Sequence, residues 1–496
     1  GVYGAVKVQE YRALVAKVEA RVADARSAIA EAHAGRDELQ RRRDEAFRRF
    51  DSRDPEGGEA EWGEAVALTP KVDRSYKQAL QAVEGALILD PGSEEARSIL
   101  AETLYERALL AEQGHDTKQV EELRERLDLY DEAGEYRARW EAPGRLRINV
   151  RPAGTRVTVA GYVKDAKGRV SLGSTSLLGD TPVNDATLAP GSYLLVFTRG
   201  ESSINYPLLV QRGEELEIGF EMPEAGGIPD GYVYIPPGRF LFGSADDETM
   251  RRSFFNAPPV HNVTTGAYLI SKREVTFGEW FDFVRAQPMA ERARRLTHES
   301  RISVDLVGED AFTLSVTEVE TPATVGLGQP YRYASRADGR DQEWTRWPVV
   351  GISPEDAQAY VRWLADTGRL PGARLCDAWE WERALRGADS RRYPHGDDLQ
   401  PGDANFDQTY GGDGKGLDEV GGYPASRSPF GVDDIIGNAM EWVASAQDAG
   451  MFELRGGSFY YDTIMAHGYN RAVMPETFRE WSSGLRVCAS APATPR

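Results

Sequence analysis

Cysteine and histidine are the residue types best suited to redox or transition-metal chemistry, and this sequence contains few of either. The only cysteines are Cys376 and Cys488. A single pair excludes a multi-cysteine metal site or disulfide framework and is typical of a reducing compartment. We expect both to be core residues, because Cys376 precedes a helix and Cys488 lies in a closing strand. The histidines show no His-x3-His or His-x-Glu spacing, so we expect ordinary surface or hydrogen-bonded side chains: His33, His115, His261, His298, His395 and His467.

Other chemistry-bearing motifs are missing, and the charge excludes some partners. The sequence has no Gly-x-Ser-x-Gly nucleophile elbow, and GGDGKG (411–416) lacks the Lys-Ser/Thr ending of a P-loop. A formal net charge of −20 excludes general affinity for nucleic acid or anionic membranes, which requires clustered Lys and Arg. No stretch approaches the ~20 apolar residues of a membrane span, and no signal peptide is visible. The sequence leaves open whether a further segment, such as a kinase or a membrane anchor, precedes the opening GVYGAVKV.

The elements that must position any site begin with helices over residues 1–140. YRALVAKVEARVADARSAIAEA has apolar residues at helical spacing, and DSRDPEGGEAEWGE predicts a break. ALILDPGSEEARSILAETLYERA then resembles a tetratricopeptide unit, with an Asp-Pro-Gly turn and small residues for close packing (Ala96, Ala101, Ala108). One unit and part of another are too few for a solenoid. We therefore expect a helical spacer rather than a peptide-binding groove.

Alternating apolar residues from GRLRINVRPAGTRVTVAGYV onward predict strands over residues 144–223. Thr-Pro and Pro-Gly turns before SYLLVF indicate a small β-sandwich. This stretch resembles the PEGA domain, a bacterial module without known catalysis, and it holds no cluster of His, Cys or paired acids. A structural or adhesive role is expected, and EAGGIPDG (224–231) predicts a linker.

Two helices are clearly marked in the C-terminal half. SPEDAQAYVRWLADTG begins with Ser353 as N-cap and ends at Gly368. DAWEWERALRG begins with Asp377 as N-cap, carries Glu380 in a capping box and ends at Gly387.

These helices belong to segments that resemble the formylglycine-generating enzyme family, also called sulfatase-modifying factors. The matching segments occur in collinear order and include VYIPPGRFLFGS, VHNVTTGAYLISKREVTFGEWFDFV, SPFGVDDIIGNAMEW, LRGGSF and GLRVCAS. The resemblance implies a C-type-lectin-like fold. We therefore expect an α+β multidomain chain with a partly tetratricopeptide-like helical region (1–140), a PEGA-like β-sandwich (144–223) and a sulfatase-modifying-factor domain (232–496).

The resemblance also implies copper-dependent oxidation by two cysteines just after the Gly-Gly-Ser turn, because thiolates bind Cu(I) tightly. The matching positions are Tyr461 and Ala466, which offer no thiolate. We therefore expect no copper and no catalytic residue. Another branch of the family, the iron-dependent sulfoxide synthases of ergothioneine biosynthesis, takes histidines from an additional helical domain. The isolated histidines of this chain do not reproduce such a ligand pair.

Structural calcium is a further implication of the resemblance, since calcium prefers hard oxygen ligands. The alternative is that these residues only pin their loops by hydrogen bonds. One implied set is Asp434, Ile436 through its carbonyl, Gly437, Asn438 and Glu441. The other is Asn405, Phe406 and an acid of the following loop, for which we choose Asp413.

The segment LRGGSFYYDTIMAHGYNRAVMP (454–475) is the predicted recognition site, because aromatic residues and Arg dominate binding hot spots. The alternative is that half of its aromatic residues are core. We expect these side chains to be exposed: Tyr461, His467, Asn470, Arg471 and Trp481.

The resulting hypothesis is a non-catalytic recognition or regulatory protein that binds a protein, peptide or small ligand. The order of its regions resembles proteins associated with bacterial Ser/Thr kinases. One alternative is a metal-dependent oxidase of the same family with divergent cofactor chemistry, and another is a structural assembly component. We expect a cytoplasmic protein, with an extracytoplasmic part of a membrane-anchored protein as the alternative.

Overall fold

The chain forms two compact units, Gly1–Pro143 and Gly144–Arg496. The computed structural model describes residues 2–317 and 322–492. The first unit is helical, and the second combines short strands with short helices. No helix within the described ranges is long and apolar enough to cross a membrane.

The first unit is built from helices that follow one another with short turns. The predicted break after α1 is only three residues long, because Asp54 caps the next helix and Pro55 suits its first position. The Asp-Pro-Gly turn lies between α2 and α3 as predicted, and Ala96 and Ala108 are fully buried there. The described helices are α1 (Val2–Asp51), α2 (Pro55–Leu89), α3 (Glu94–Gln113), α4 (Thr117–Asp128) and α5 (Glu135–Trp140).

The second unit begins with two sheets, as the alternating pattern predicts. Their strands are β1 (Gly144–Ile148), β2 (Arg156–Lys164), β3 (Val170–Leu172), β4 (Ser176–Asp180), β5 (Val183–Leu188), β6 (Gly191–Arg199), β7 (Ser202–Val210) and β8 (Glu215–Ile218). One sheet has the order β5-β1-β8 and the other β3-β2-β6-β7, with β4 also paired to β2. Apolar side chains of both sheets are fully buried, among them Leu146, Val157, Leu195 and Phe197. They continue into the core of the following residues, so the predicted linker 224–231 lies inside one compact unit.

The rest of the second unit has short strands around buried tryptophans. Its strands are β9 (Tyr232–Ile235), β10 (Gly238–Phe242), β11 (His261–Thr265), β12 (Tyr268–Ser271), β13 (Ile302–Val307), β14 (Ala311–Thr317), β15 (Pro322–Gly326), β16 (Ala373–Leu375), β17 (Met440–Ala444), β18 (Phe452–Arg455), β19 (Ala472–Met474), β20 (Ser483–Leu485) and β21 (Val487–Ser490). Its α-helices are α6 (Phe277–Ala286), α7 (Met289–Arg292), α8 (Pro354–Asp366), α9 (Ala378–Arg386) and α10 (Asp407–Tyr410). The sheets β16-β21-β12-β9 and β19-β18-β17-β20 carry most of the site described below.

Helices α8 and α9 begin as predicted. Ser353 and Asp377 are the N-caps, and both helices have the reciprocal hydrogen bonds of a capping box. Asp377 thereby fixes the start of α9 directly after Cys376. Cys376 lies between β16 and this N-cap, and its side chain is fully buried.

The two cysteines are joined by a disulfide bond. Both are fully buried, so their prediction as core residues is confirmed. The bond itself was not predicted, because only the antiparallel pairing of β16 with β21 brings the two positions together. The Cα atoms lie 4.8 Å apart although 112 positions separate them in sequence. The cysteine content therefore no longer indicates a reducing compartment.

Candidate functional site

A double-glycine turn after β18 sets the path of the segment that holds Tyr461 and Ala466. Gly456 and Gly457 have φ values of +91° and +68°, which favour glycine. A Cβ atom on Gly457 would lie 3.0 Å from the Cα of Ala466. The turn thus needs glycine both for its conformation and for the close approach of the chain at Ala466.

The positions that match the thiol pair hold no group that could replace it. Ala466 is buried and has no polar side-chain atom. Tyr461 is half-buried, its hydroxyl lies 3.5 Å from Glu480, and burial raises its pKa to about 12. The only two cysteines of the chain lie elsewhere and are bonded to each other. No free thiol is therefore available for copper chemistry at this turn.

Three of the five residues predicted to be exposed are buried, and that prediction was wrong for them. Asn470 is 3% exposed, and its Nδ2 donates a hydrogen bond to the Met465 carbonyl. Arg471 is 6% exposed, and its Nη1 lies 3.0 Å from the fully buried Glu453. The third residue is His467. The polar and glycine residues around them mark a tightly folded loop here rather than a surface.

His467 lies between aromatic rings at the wall of a cavity. Its ring centroid is 5.2 Å from that of Phe255 and 5.3 Å from that of Tyr393. The Nδ1 atom is buried and has no hydrogen-bond partner. Burial, followed by the positive charge of Arg392, lowers the pKa of His467 to about 4. The neutral imidazole lines a cavity of about 370 Å³ whose polar residues include Asp246 and Asp398.

Tyr461 and Trp481, the remaining two, are part of one aromatic surface together with Tyr460. The ring of Tyr460 is 40% exposed and packs at 4.9 Å from Trp481 and 5.6 Å from Tyr461. Two cations border these rings. Arg301 lies 5.7 Å from the Trp481 ring, and the Lys415 ammonium lies 5.1 Å from the Tyr460 ring. We call Tyr460, Tyr461 and Trp481 the aromatic surface. Tyr460 lies in the predicted recognition segment but was not among the five residues expected to be exposed. Arg301 and Lys415 could not be predicted from the sequence, because both come from distant segments.

The residues of the Asn405 set do not fit a calcium ion as predicted. Asp413 is exposed, and only its backbone carbonyl is held, by the Ser335 hydroxyl. The Nδ2 of Asn405 donates to the Gly416 carbonyl and to the Oδ1 of Asn438. Phe406 donates its backbone N–H to the Thr409 hydroxyl. The exposed Asp413 side chain as a ligand stays a prediction, whereas the buried carboxylate of this loop is that of Asp418.

The Asp434 set is partly taken up by internal hydrogen bonds. Both carboxylate oxygens of Glu441 accept from Arg486, and one also accepts from the Trp381 indole. The Oδ1 of Asn438 accepts from Asn405 and from the backbone N–H of Asp418. Among the described residues, none forms a hydrogen bond with the Ile436 backbone, and the Gly437 N–H donates to the Gly456 carbonyl. Within this set and the described part of the chain, Asp434 alone keeps a buried carboxylate oxygen, Oδ1, without a partner.

Glu274 adds two more unpartnered oxygens next to this set, and sequence reasoning missed it. It is 2% exposed, and neither carboxylate oxygen has a hydrogen-bond partner. Burial and the neighbouring charge of Asp434 raise its pKa well above the usual range. Glu274 also lines a pocket of about 580 Å³ with Lys272 and Arg273. No three His, Cys, Asp or Glu side chains in the described ranges are arranged as a metal site. A cation here would therefore rest on two carboxylates and on backbone carbonyls.

Comparison with known proteins finds relatives of three kinds. The formylglycine-generating enzyme of Mycobacterium tuberculosis is 30% identical over 237 residues, which cover 43% of this chain and 73% of that protein. The inactive Cα-formylglycine-generating enzyme 2 of Bos taurus is 29% identical over 256 residues, covering 48% of this chain and 79% of that protein. The hercynine oxygenase of Mycolicibacterium smegmatis is 28% identical over 240 residues, covering 46% of this chain and 49% of that protein. Among solved structures, PvdO from Pseudomonas aeruginosa matches with a TM-score of 0.36 and 21% identity, over 52% of this chain and 94% of that one.

The family model of the sulfatase-modifying factor enzyme 1-like domain matches residues 221–491. This range is more than half of the chain, and it contains both the double-glycine turn and the aromatic surface. With its relatives, it confirms the resemblance seen in the C-terminal motifs. The chain belongs to the sulfatase-modifying factor family of formylglycine-generating-enzyme-like proteins.

Proposed function

We propose that this protein is a non-catalytic recognition or regulatory member of its family, which binds a protein, peptide or small ligand at the aromatic surface. The observation that carries the proposal is the loss of every free thiol. Tyr461 and Ala466 stand where the resemblance implies cysteines, and Cys376 and Cys488 are bonded in the core. The relatives include proteins named as active enzymes and proteins named as inactive, so family membership by itself leaves both options open.

The aromatic surface supports binding because its rings combine contact area with few rotatable bonds. Tyr460 and Trp481 meet edge to face, and Arg301 and Lys415 border them. One exposed ring, Tyr460, with two half-buried rings beside it and cations at its border suits a partner that offers apolar or aromatic side chains next to a carboxylate. A peptide or a protein loop with an acidic residue has this chemistry. A link to bacterial Ser/Thr kinase signalling, with the helical region and β-sandwich as tetratricopeptide-like and PEGA-like spacers, is part of the proposal.

The first test concerns chemistry. The full chain is incubated with copper, oxygen and a sulfatase peptide containing Cys-x-Pro-x-Arg, with the M. tuberculosis relative as positive control. We expect the peptide mass to stay unchanged with this protein. A protein-dependent loss of mass corresponding to oxidation of the cysteine to an aldehyde would contradict the proposal and support the alternative, an oxidase with divergent cofactor chemistry. The double variant Tyr461→Cys, Ala466→Cys should bind Cu(I), which the wild type should not.

The second test concerns binding. A random peptide library displayed on phage is panned against the full chain, and enriched peptides are measured against wild type, Tyr460→Ala and Trp481→Ala. Hot-spot residues contribute about 2 kcal/mol or more, so we expect binding to weaken roughly thirtyfold or more in the variants. Arg285→Ala, a change in α6, is the control and should bind as the wild type does. Equal binding by all variants would show that recognition lies elsewhere.

We further propose a structural calcium ion held by Glu274 and Asp434 with the backbone carbonyl of Ile436, because the Asp434 carbonyl already accepts a hydrogen bond from Arg486. Two buried carboxylates with unpartnered oxygens are costly without a compensating cation, and calcium accepts such hard ligands. The rest of the Asp434 set would position the loop. No copper is part of the proposal.

The disulfide supports the extracytoplasmic alternative for localisation, because such bonds persist in oxidising compartments. We propose that location in place of the cytoplasm. Alkylation of thiols during lysis of the native host, followed by mass spectrometry of the peptides with Cys376 and Cys488, tests it. Recovery of both as alkylated free thiols would contradict it.

A further inference from the structure

Arg336 carries a buried positive charge at the centre of the loop that follows α10. Its Nε donates to the Gly414 carbonyl and its Nη2 to the Gly416 carbonyl, both at 2.8 Å. Its Nη1 lies 2.6 Å from the Oδ1 of Asp418, and both side chains are 1% exposed. The guanidinium is thus surrounded in its own plane by oxygen atoms of one short segment, residues 414–418.

Two aromatic rings close the space above and below that plane. The Cζ atom of Arg336 lies 3.7 Å from the ring centroids of both Tyr333 and Tyr410. A planar guanidinium can stack on both rings and offers its donors in a fixed fork, which a spherical ion does not have. The arrangement is therefore specific for arginine.

The carboxylate of Asp418, the buried acid of this loop, also has all of its acceptor positions occupied by hydrogen bonds. Besides Arg336, the Asp418 carboxylate accepts hydrogen bonds from Gln342 at 2.8 Å and from the hydroxyls of Tyr410 and Tyr423. Arg340 reaches it from the solvent side at 3.2 Å, with half of its own side chain exposed. A carboxylate with these partners has no free lone pair for a metal ion.

One of the oxygen atoms around the Arg336 guanidinium also contacts Asn405, which the family resemblance implies as a calcium ligand with Phe406 and Asp413. The Asn405 Nδ2 donates to the Gly416 carbonyl, which also accepts from Arg336. The Asn405 Oδ1 is buried without a partner, but one neutral oxygen does not replace the six to eight that calcium takes. A divalent ion at this carbonyl would also meet the like charge of the guanidinium.

We propose that the Arg336 guanidinium replaces the metal ion beside Asn405, so that a built-in cation holds residues 405–418 and this loop needs no calcium. Residues 405–418 contact two members of the aromatic surface, Tyr460 and Tyr461. The backbone N–H of Asp407 donates to the Tyr461 carbonyl at 3.1 Å, and Lys415 lies against the Tyr460 ring. Provided that the aromatic surface binds as proposed above, recognition there is independent of calcium. Arg336 is then a positioning residue for that surface.

The test is hydrogen–deuterium exchange of the full chain, because it needs no ligand and separates this inference from the proposed function. Wild type is measured with calcium and with a chelator, and the comparison is repeated in Glu274→Gln, which removes the other cation position. We expect amide exchange in residues 405–418 to be the same with and without calcium in both proteins. Calcium-dependent protection of this segment in Glu274→Gln would overturn the proposal.

Arg336→Gln and Arg336→Lys test the built-in charge itself. Removing one partner of a buried ion pair typically raises the equilibrium constant for local opening by about a hundredfold or more. The rate of amide exchange in 405–418 should therefore rise by that factor in Arg336→Gln. Lys keeps the charge but cannot make the fork of hydrogen bonds, and its exchange should fall between the two. Arg340→Gln is the matched control, since it removes an exposed charge from the same carboxylate and should change exchange less than threefold. Wild-type protection in Arg336→Gln would overturn the proposal. If that variant fails to fold, the comparison with chelator still decides.

Discussion

Replacing Arg471 by alanine distinguishes a core role for the segment after the double-glycine turn from a binding role. The side chain is 6% exposed and donates from Nε to the Asn256 carbonyl at 2.5 Å. Its Nη1 lies 3.0 Å from Glu453 and 3.2 Å from Asp448. The carboxylate of Glu453 is fully buried, and the charges of Arg455 and Arg471 lower its pKa against the effect of burial. Arg471→Ala therefore removes one of two cations from a carboxylate that cannot reach water.

The expected cost follows from that geometry. Breaking a buried ion pair destabilises by about 3–5 kcal/mol, and the remaining contact to Arg455 at 2.8 Å places Arg471→Ala at the lower end, about 3 kcal/mol. For a unit of this size, that corresponds to a fall in Tm of roughly 4 °C.

The assay is thermal unfolding followed by near-ultraviolet circular dichroism, which reports mainly on the buried tryptophans of the second unit. Arg301→Ala is the control, because Arg301 is exposed beside the aromatic surface, and surface changes usually stay within about 0.5 kcal/mol. We expect Arg471→Ala to melt well below wild type and Arg301→Ala to melt with it. If Arg471→Ala melts within about 1 °C of wild type, the side chain is not a core element, and its exclusion from the binding surface was a mistake.

Three further predictions concern titration, the disulfide and calcium. His467 has a folded pKa of about 4 and an unfolded pKa near 6.5, so the unfolded state binds the extra proton between these values. Stability should therefore fall by up to roughly 3 kcal/mol as the pH drops from about 6.5 to about 4, and His467→Phe should lose less over that range; equal losses would show that other groups cause the effect. The double variant Cys376→Ala, Cys488→Ala opens a loop of 112 positions and should lose about 5 kcal/mol in a chemical denaturation curve. A loss of less than about 1 kcal/mol would mean that the bond does not form in solution. Calcium at a hundredfold excess over its Kd should stabilise the wild type by about 2.7 kcal/mol in a thermal melt but not Glu274→Gln, and a matching shift in both proteins would remove Glu274 as a ligand.

Local features of the chain could be predicted from the sequence because they depend on neighbouring residues. The capping residues Ser353 and Asp377 start their helices as expected, since a cap acts within one helical turn. The Asp-Pro-Gly turn between α2 and α3 is local for the same reason. The motifs of the C-terminal half also gave the family, because collinear segments carry that information without any knowledge of contacts.

Exposure and partnership depend on residues that are far apart in sequence, and only the tertiary structure decided them. Arg471 looked like a surface residue among glycine and polar neighbours, yet Glu453 and Asn256 enclose it. The pairing of β16 with β21 joins Cys376 to Cys488, which their spacing could not reveal. Arg336 lies 82 positions before Asp418, and nothing near it in sequence indicates a cation-binding loop. The absence of a thiol at Tyr461 and Ala466 could be read directly from the sequence. The proposed replacement of a metal ion by the Arg336 guanidinium, in contrast, depends on distant loops that fold around this side chain.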